Sequence, residues 1–354
     1  MIRIGIIGCN YGRLVHLPAF RLDPRCAVIA LAGTDSARAA ELARADEIPL
    51  AFGSWTQLVE HPDVDAVTIA TPPALQPEIA LRALELGKPV FAEKPMAADL
   101  AGAKAMAEAA ATSGRATMVD FNFSAIPSWR KAKALLDQGA IGRLRRVAVN
   151  WNVENQATRM RLKNWKAQGA DGGGALGNFV SHSFHYLEWL CGPICGLSAR
   201  LSGLPDAPAM ETHASISVAF GSGADGTLAM SCAAYLGSGH RLEFYGDDGS
   251  LTLINTTTDY MRGFKLRLAR RPAEALALVE IDDPLDRDFA SDGRIAPVSR
   301  LAADFLEAIA HAKPAWPGFA EGYRVQRLLD AARRAHGGGC WLEIQPDDFT
   351  EAKA

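Results

Sequence analysis

The chain opens Met1-Ile2-Arg3-Ile4-Gly5-Ile6-Ile7-Gly8-Cys9-Asn10-Tyr11-Gly12, and this stretch decides the fold. Ile2–Ile7 is a short Ile-rich run, as a strand buried on both faces should be. It leads through Gly8-Cys9-Asn10-Tyr11-Gly12 into a helix-like stretch, Leu14–Leu22. Glycines at such a turn let the backbone fold tightly and approach a pyrophosphate, whose charge sits at the helix N-terminus. A strict GxGxxG fingerprint would put glycine at positions 10 and 13, where this chain has Asn10 and Arg13. Asn tolerates left-handed backbone angles better than most residues, which would let Asn10 substitute. Alone the pattern also fits an ordinary β-turn-α, and its force comes from opening an alternating chain. With no positive n-region ahead of a long apolar run, the segment reads as a first strand and not a signal peptide.

Working outward, Ala27–Ala32, Ala66–Ala70 and Pro89–Ala92 are further buried-strand runs. Ser36–Ala45, Pro77–Leu86 and Leu100–Ala111 read as helices between and after them. The alternation predicts a parallel sheet with right-handed crossovers. Past Ala116–Asn122 the rhythm changes. A helix at Ser128–Leu136, a long strand at Leu144–Val153 and a Gly-rich break at Gly169–Gly174 precede an apolar helix ending at Cys191. Strand-turn-strand patterning then runs from Ala214 to Leu268, and Leu301–Ala310 and Gly322–Ala335 read as terminal helices. The expectation is an α/β Rossmann domain over residues 1–120, followed by an α+β domain over 121–354 with a large, mostly antiparallel open sheet. An open sheet leaves one face uncovered, which predicts a homodimer or homotetramer formed through it.

Composition narrows the function. The 354 residues are 49% hydrophobic and 22% charged, ordinary for a globular protein, with a net charge of −3. No basic excess points to nucleic acid, and no polybasic cluster points to a membrane surface. The apolar runs fall well short of the roughly 18 residues of a membrane span. Six cysteines are scattered, and only Cys191 and Cys195 lie close, without the partners a metal site needs. Reduced thiols in a cytoplasmic protein with no metal are the expectation.

Candidate site residues gather at strand ends. The second strand ends in Gly33-Thr34-Asp35, with Arg38 beyond. A small residue, a hydroxyl and a nearby Arg suit a 2′-phosphate, so NADP(H) is favoured and NAD(H) is the alternative. Asp35 could equally cap the next helix, with Arg38 a solvated charge. Thr71-Pro72-Pro73 follows the third strand and Glu93-Lys94-Pro95 the fourth, where open α/β sheets bind ligands.

Through these motifs the sequence resembles the Gfo/Idh/MocA family of glucose–fructose oxidoreductase and inositol dehydrogenase relatives. The resemblance spans nearly the whole chain. It rests on the glycine loop with His16 in the following helix, on Thr71-Pro72-Pro73, and on Gly87-Lys88-Pro89-Val90 leading to Glu93-Lys94-Pro95. It continues through Gly139-Ala140-Ile141-Gly142, Gly172-Gly173-Gly174-Ala175-Leu176 and Trp189-Leu190-Cys191-Gly192. The resemblance implies an NAD(P)-dependent oxidoreductase moving a hydride between nicotinamide and a secondary alcohol or carbonyl of a sugar, polyol or derivative. It implies a cofactor site including Gly8, Asn10, Tyr11, Gly12, Gly33, Thr34, Arg38, Thr71, Pro72, Glu93 and Lys94. Lys94 would sit at the hydride-transfer site. Dehydrogenase members pair an Asp with a His one helical turn later; the matching positions here are Asn178 and His182. Asn cannot take up a proton, so base duty falls to His182 or Lys94. Trp165, Lys166 and His185 join Lys94, Asn178 and His182 as candidate substrate contacts, and Gln76 stands where a histidine is common. Trp129 and Trp151 offer either sugar stacking or simple packing. Two other readings stay open: a transient-redox glycosidase, and a nucleotide-binding sensor or assembly subunit without catalysis.

Overall fold

A computed structural model describes residues 1–162, 165–204, 207–289 and 292–345. By backbone contacts the chain forms two units, Met1–Asn122 with Arg294–Gln326, and Phe123–Gly293 with the segment from Arg327 on. The partition expected from sequence, 1–120 and 121–354, did not include the return of Arg294–Gln326 to the first unit.

The first unit holds six strands: β1 (Ile2–Ile7), β2 (Cys26–Ala32), β3 (Leu50–Phe52), β4 (Ala66–Ile69), β5 (Val90–Ala92) and β6 (Thr117–Val119). They form one sheet in the order β3-β2-β1-β4-β5-β6, and every pairing is parallel. Chain order reverses between β1 and β4, the crevice where doubly wound sheets take ligands. Ile4, Ile6, Ala30, Leu31, Val67, Ile69, Val90 and Phe91 are fully buried, as a sheet covered on both faces requires. The helix after β1 starts as a π-helical turn at Gly12–His16 before Leu17–Arg21 becomes α-helical. Helix Ile295–Ala310 packs its apolar stripe back onto this unit, with Phe305 edge-on to Phe20 and Phe91.

The second unit is built on nine strands: β7 (Leu144–Asn152), β8 (Ile194–Leu204), β9 (Ala207–Phe220), β10 (Asp225–Ser231), β11 (Gly239–Gly246), β12 (Gly249–Asn255), β13 (Lys265–Arg270), β14 (Ala277–Leu278) and β15 (Leu342–Glu343). Their order is β14-β13-β12-β11-β7-β10-β9-β8-β15, antiparallel except where β10 runs parallel to β7. The buried helix Ser181–Cys191 belongs to the same unit. Among the described residues, no helix is long and apolar enough to cross a membrane.

Candidate active site

In the first unit a pocket of about 600 Å³ opens where β1, β2 and β4 end. Of the residues expected to hold a dinucleotide, Gly8, Asn10, Gly33, Thr34, Arg38, Thr71 and Pro72 line it. Gly8 needs to be glycine: its φ is +127°, and a Cβ there would lie 2.5 Å from the Ala70 carbonyl oxygen. The expectation that Asn10 would take a left-handed conformation is corrected, because Gly8 and not Asn10 carries the positive φ in this loop. Asn10 instead lends its carbonyl to the Leu14 amide at 2.9 Å, starting the helical turn. First-turn amides have no acceptor within their own helix, so the turn presents donors toward a phosphate.

At the β2 end, Asp35 caps helix Ser36–Ala45, accepting from the Arg38 amide at 3.0 Å. Thr34, Asp35 and Arg38 are all exposed on the pocket wall. Cys9, Ser54, Trp55 and Leu75 also line the pocket and were not singled out from sequence. They come from the turn itself and from connections whose residue types carry no distinctive signal.

Glu93 and Lys94 follow β5, off this pocket. Gln76 is wholly buried and donates to the Pro95 carbonyl at 2.9 Å, tying the Glu93-Lys94-Pro95 turn to the start of helix Gln76–Glu85. Glu93 meets His16 at 3.1 Å through Oε1, while its Oε2 accepts the Lys94 amide at 3.3 Å. Asp120, just past β6, stands 3.9 Å from the same His16 nitrogen and accepts from the Tyr11 hydroxyl at 3.4 Å. Burial would push the His16 imidazolium down, but Asp120 and Glu93 outweigh it and raise the group to about 9. Burial and the neighbouring Glu93 charge raise Asp120 to about 7. Burial also works against the Glu93 carboxylate, yet His16 holds it below the usual range. The donor atoms of these three side chains lie within 4.8 Å of one another, a grouping that sequence spacing did not reveal.

In the second unit, Trp165 and Lys166 occupy a 3₁₀ turn, Trp165–Ala167, with the Lys166 ammonium 5.7 Å from the Trp165 ring centre. Gly173 packs onto this turn, since a Cβ there would lie 2.1 Å from the Trp165 carbonyl oxygen. Asn178 closes the contact by donating to the carbonyls of Lys166 at 3.1 Å and Gly174 at 2.9 Å. The structure thus brings Lys166 and Asn178 together. Asn178 lies in a π-helical turn, Leu176–Val180, while His182 lies in the α-helix Ser181–Cys191. The four-residue spacing therefore does not set them on one regular α-helical face. His182 is 3% exposed and packs edge-on against Phe123 at 5.0 Å. His185 is buried too, and burial holds it neutral, lowered to about 3. Trp129 and Trp151 are packing residues: both are fully buried, Trp151 stacks on His240 at 4.1 Å, and the Tyr186 hydroxyl meets His240 Nε2 at 3.0 Å.

Comparison with known proteins bears on the fold and the family. Residues 2–121 match the model of the GFO/IDH/MocA oxidoreductase family with its NAD-binding Rossmann fold, and residues 129–252 match a GFO/IDH/MocA C-terminal domain. An uncharacterized oxidoreductase of Synechocystis sp. is 33% identical over 98% of this chain and 96% of its own. Levoglucosan dehydrogenase of Pseudarthrobacter phenanthrenivorans is 26% identical over 97% of this chain and 98% of its own. A solved complex of levoglucosan dehydrogenase with NADH and levoglucosan superposes with a TM-score of 0.86 at 25% identity, covering 98% of this chain and 100% of that one.

Proposed function

The chain belongs to the Gfo/Idh/MocA family of NAD-binding oxidoreductases, and we propose that its substrate is a secondary alcohol of a sugar, polyol or anhydrosugar. The observation that carries the reading is the pocket at the chain-reversal point of the first sheet, with Glu93-Lys94 at the next strand end. A nicotinamide cofactor, when bound, supplies the hydride chemistry. The close approach at Gly8 and the first-turn amides fit its pyrophosphate. NADP(H) is favoured, because Arg38 can meet a 2′-phosphate while Asp35 is engaged in capping. NADH is the second reading, carried by the place of Asp35 on the pocket wall.

Lys94 handles the hydroxyl proton, with His182 as the second unit's candidate for the same duty. Lys166 and Trp165 serve as candidate substrate contacts on the turn that Asn178 holds, and His185 belongs to the set only as a neutral group. The protein works in the cytoplasm as a homodimer or homotetramer through the nine-stranded sheet.

Reduced-nicotinamide absorbance, followed with NAD⁺ and NADP⁺ separately against levoglucosan, aldoses, inositols and sugar acids, tests the assignment. Lys94→Ala should lower turnover by about two orders of magnitude or more. Near-wild-type turnover in that variant removes Lys94 from the chemistry, and preference for NAD⁺ over NADP⁺ reverses the cofactor assignment.

A further inference from the structure

We propose that His16 is a positioning residue for Lys94: held between the carboxylates of Glu93 and Asp120, it locks the Glu93 side chain that receives the Lys94 peptide N–H. The inference rests on the proton-handling role proposed for Lys94.

Three strand ends meet at this histidine. His16 comes from the helical turn after β1, Glu93 from the end of β5 and Asp120 from the end of β6. The His16 and Asp120 side chains are 0% exposed and Glu93 is 12% exposed. Glu93 uses one oxygen for each partner, His16 Nε2 at 3.1 Å and the Lys94 amide at 3.3 Å. Rotating Glu93 to release the peptide would therefore also break its bond to His16. Tyr11 ties the glycine loop into the same group by donating to Asp120 at 3.4 Å. Phe91 and Tyr11 close edge-on over the imidazole at 5.2 and 5.5 Å, so its ring has little room to turn. The Lys94 charge favours the Glu93 carboxylate, and the Arg294 guanidinium lies 5.3 Å from the ring centre of Tyr11, which donates to Asp120. Removing His16 would leave Glu93 and Asp120 facing each other without the cation that stabilises their charge.

One histidine and two carboxylates are also a donor set for a divalent cation. His16 Nε2 and Glu93 Oε1 already satisfy each other without one, while His16 Nδ1 has no partner among the described residues; the direct bond favours the ion cluster.

The test compares wild type, His16→Leu, His16→Gln and Lys94→Ala. Hydrogen exchange is read by mass spectrometry on peptides spanning residues 90–97, together with competitive acetylation of the Lys94 amine across pH and binding of NADH and NADPH. In His16→Leu, exchange at Lys94 should accelerate about tenfold and the acetylation profile should move, with cofactor affinity within about twofold of wild type. His16→Gln, which keeps a donor, should restore most of the protection. Should His16→Leu not fold, Asp120→Asn keeps the shape, removes one of the two counter-charges, and carries the same expectation at a few-fold.

Unchanged exchange and acetylation in His16→Leu overturn the proposal. Equal acceleration across all six strands of the sheet overturns it as well, since that is a fold-wide role. Stoichiometric metal in the purified wild type, whose removal by a chelator reproduces the His16→Leu behaviour, replaces it with a cation site. The Lys94→Ala turnover separates the two readings. If that variant is inactive while His16→Leu leaves Lys94 untouched, only the positioning role fails; if it turns over normally, the proton role itself fails.

Discussion

Asn178 departs from its family's pattern, and its contacts give a physical reason. Both amide hydrogens are committed, one to the Lys166 carbonyl at 3.1 Å and one to the Gly174 carbonyl at 2.9 Å. A carboxylate has no hydrogen to give, so Asp at this position would set its oxygens against two carbonyl oxygens. Restoring the family's acid should therefore loosen the Trp165–Ala167 turn. Asn178→Asp is expected to cost about 1 kcal/mol, to speed proteolysis around residues 160–175, and to lower kcat/KM. Unchanged proteolysis with a higher kcat/KM would show that the amide holds nothing and that a second acid is simply missing.

Elements were legible where one residue type had to repeat. Mostly apolar runs announced β1, β2, β4 and β5, ending in Gly8, Gly33, Ala70-Thr71 and Glu93-Lys94, because strands buried on both faces favour that pattern. Gly8, Gly33 and Thr71 followed, since ligands gather at such ends. Strand β3 and helix Trp55–Glu60 were not legible, with three and six residues too few to show a period. Asp120 gave no signal because its meaning lies in its distance from His16, 104 positions back in sequence, and only the assembled sheet supplies that. In the second unit alternation located most strands, but it cannot say that β10 pairs parallel to β7. The register shows what the alternation serves. Leu197, Val218, Val147, Phe244 and Leu251 form one apolar row, and Ser217, Thr227, Ala148, Glu243 and Thr252 form a row on the opposite face. That second row is mostly short side chains with one glutamate, and suits packing against a like sheet at about 10 Å. Ala229 lies in the next row of the same face, beside Asn150 and Ser215. Light scattering at micromolar concentration should give a dimer or tetramer mass, and Ala229→Arg should reduce it to one chain while leaving the melting temperature of the fold close to wild type. A one-chain mass for wild type removes the proposed assembly.

Across the whole molecule, the buried histidines give the two units opposite responses to pH. In the second unit His185 and His240 are held neutral by burial, each lowered to about 3 from an ordinary value near 6.5. Between those values the unfolded chain binds protons that the folded unit refuses, so stability falls as pH drops from 6.5 toward 3. In the first unit the cluster around His16 holds two raised groups. Asp120, raised to about 7, keeps a proton that the unfolded chain releases near 3.8, and stability falls as pH rises between them. His16, raised to about 9, contributes fully below 6.5 and loses that contribution as pH rises through 9. Glu93 opposes them only in acid, because its depressed value is lost as pH falls below the carboxylate range. A fully shifted group changes stability by about 1.4 kcal/mol per pH unit within its window, and the His16–Glu93–Asp120 cluster titrates as a set. Acid should thus open the second unit first and alkali the first unit. Hydrogen exchange at pH 5, 7 and 9.5 reads this directly: peptides from Ser181–Cys191 and β11 should lose protection at pH 5, and those from β1 and β5 at pH 9.5. His240→Gln removes the protonation that acid forces on its site, so it should flatten the acid loss relative to its own pH 7 value. Parallel loss in both units at both extremes would mean that net charge governs the acid and alkaline limits, and that these buried groups do not.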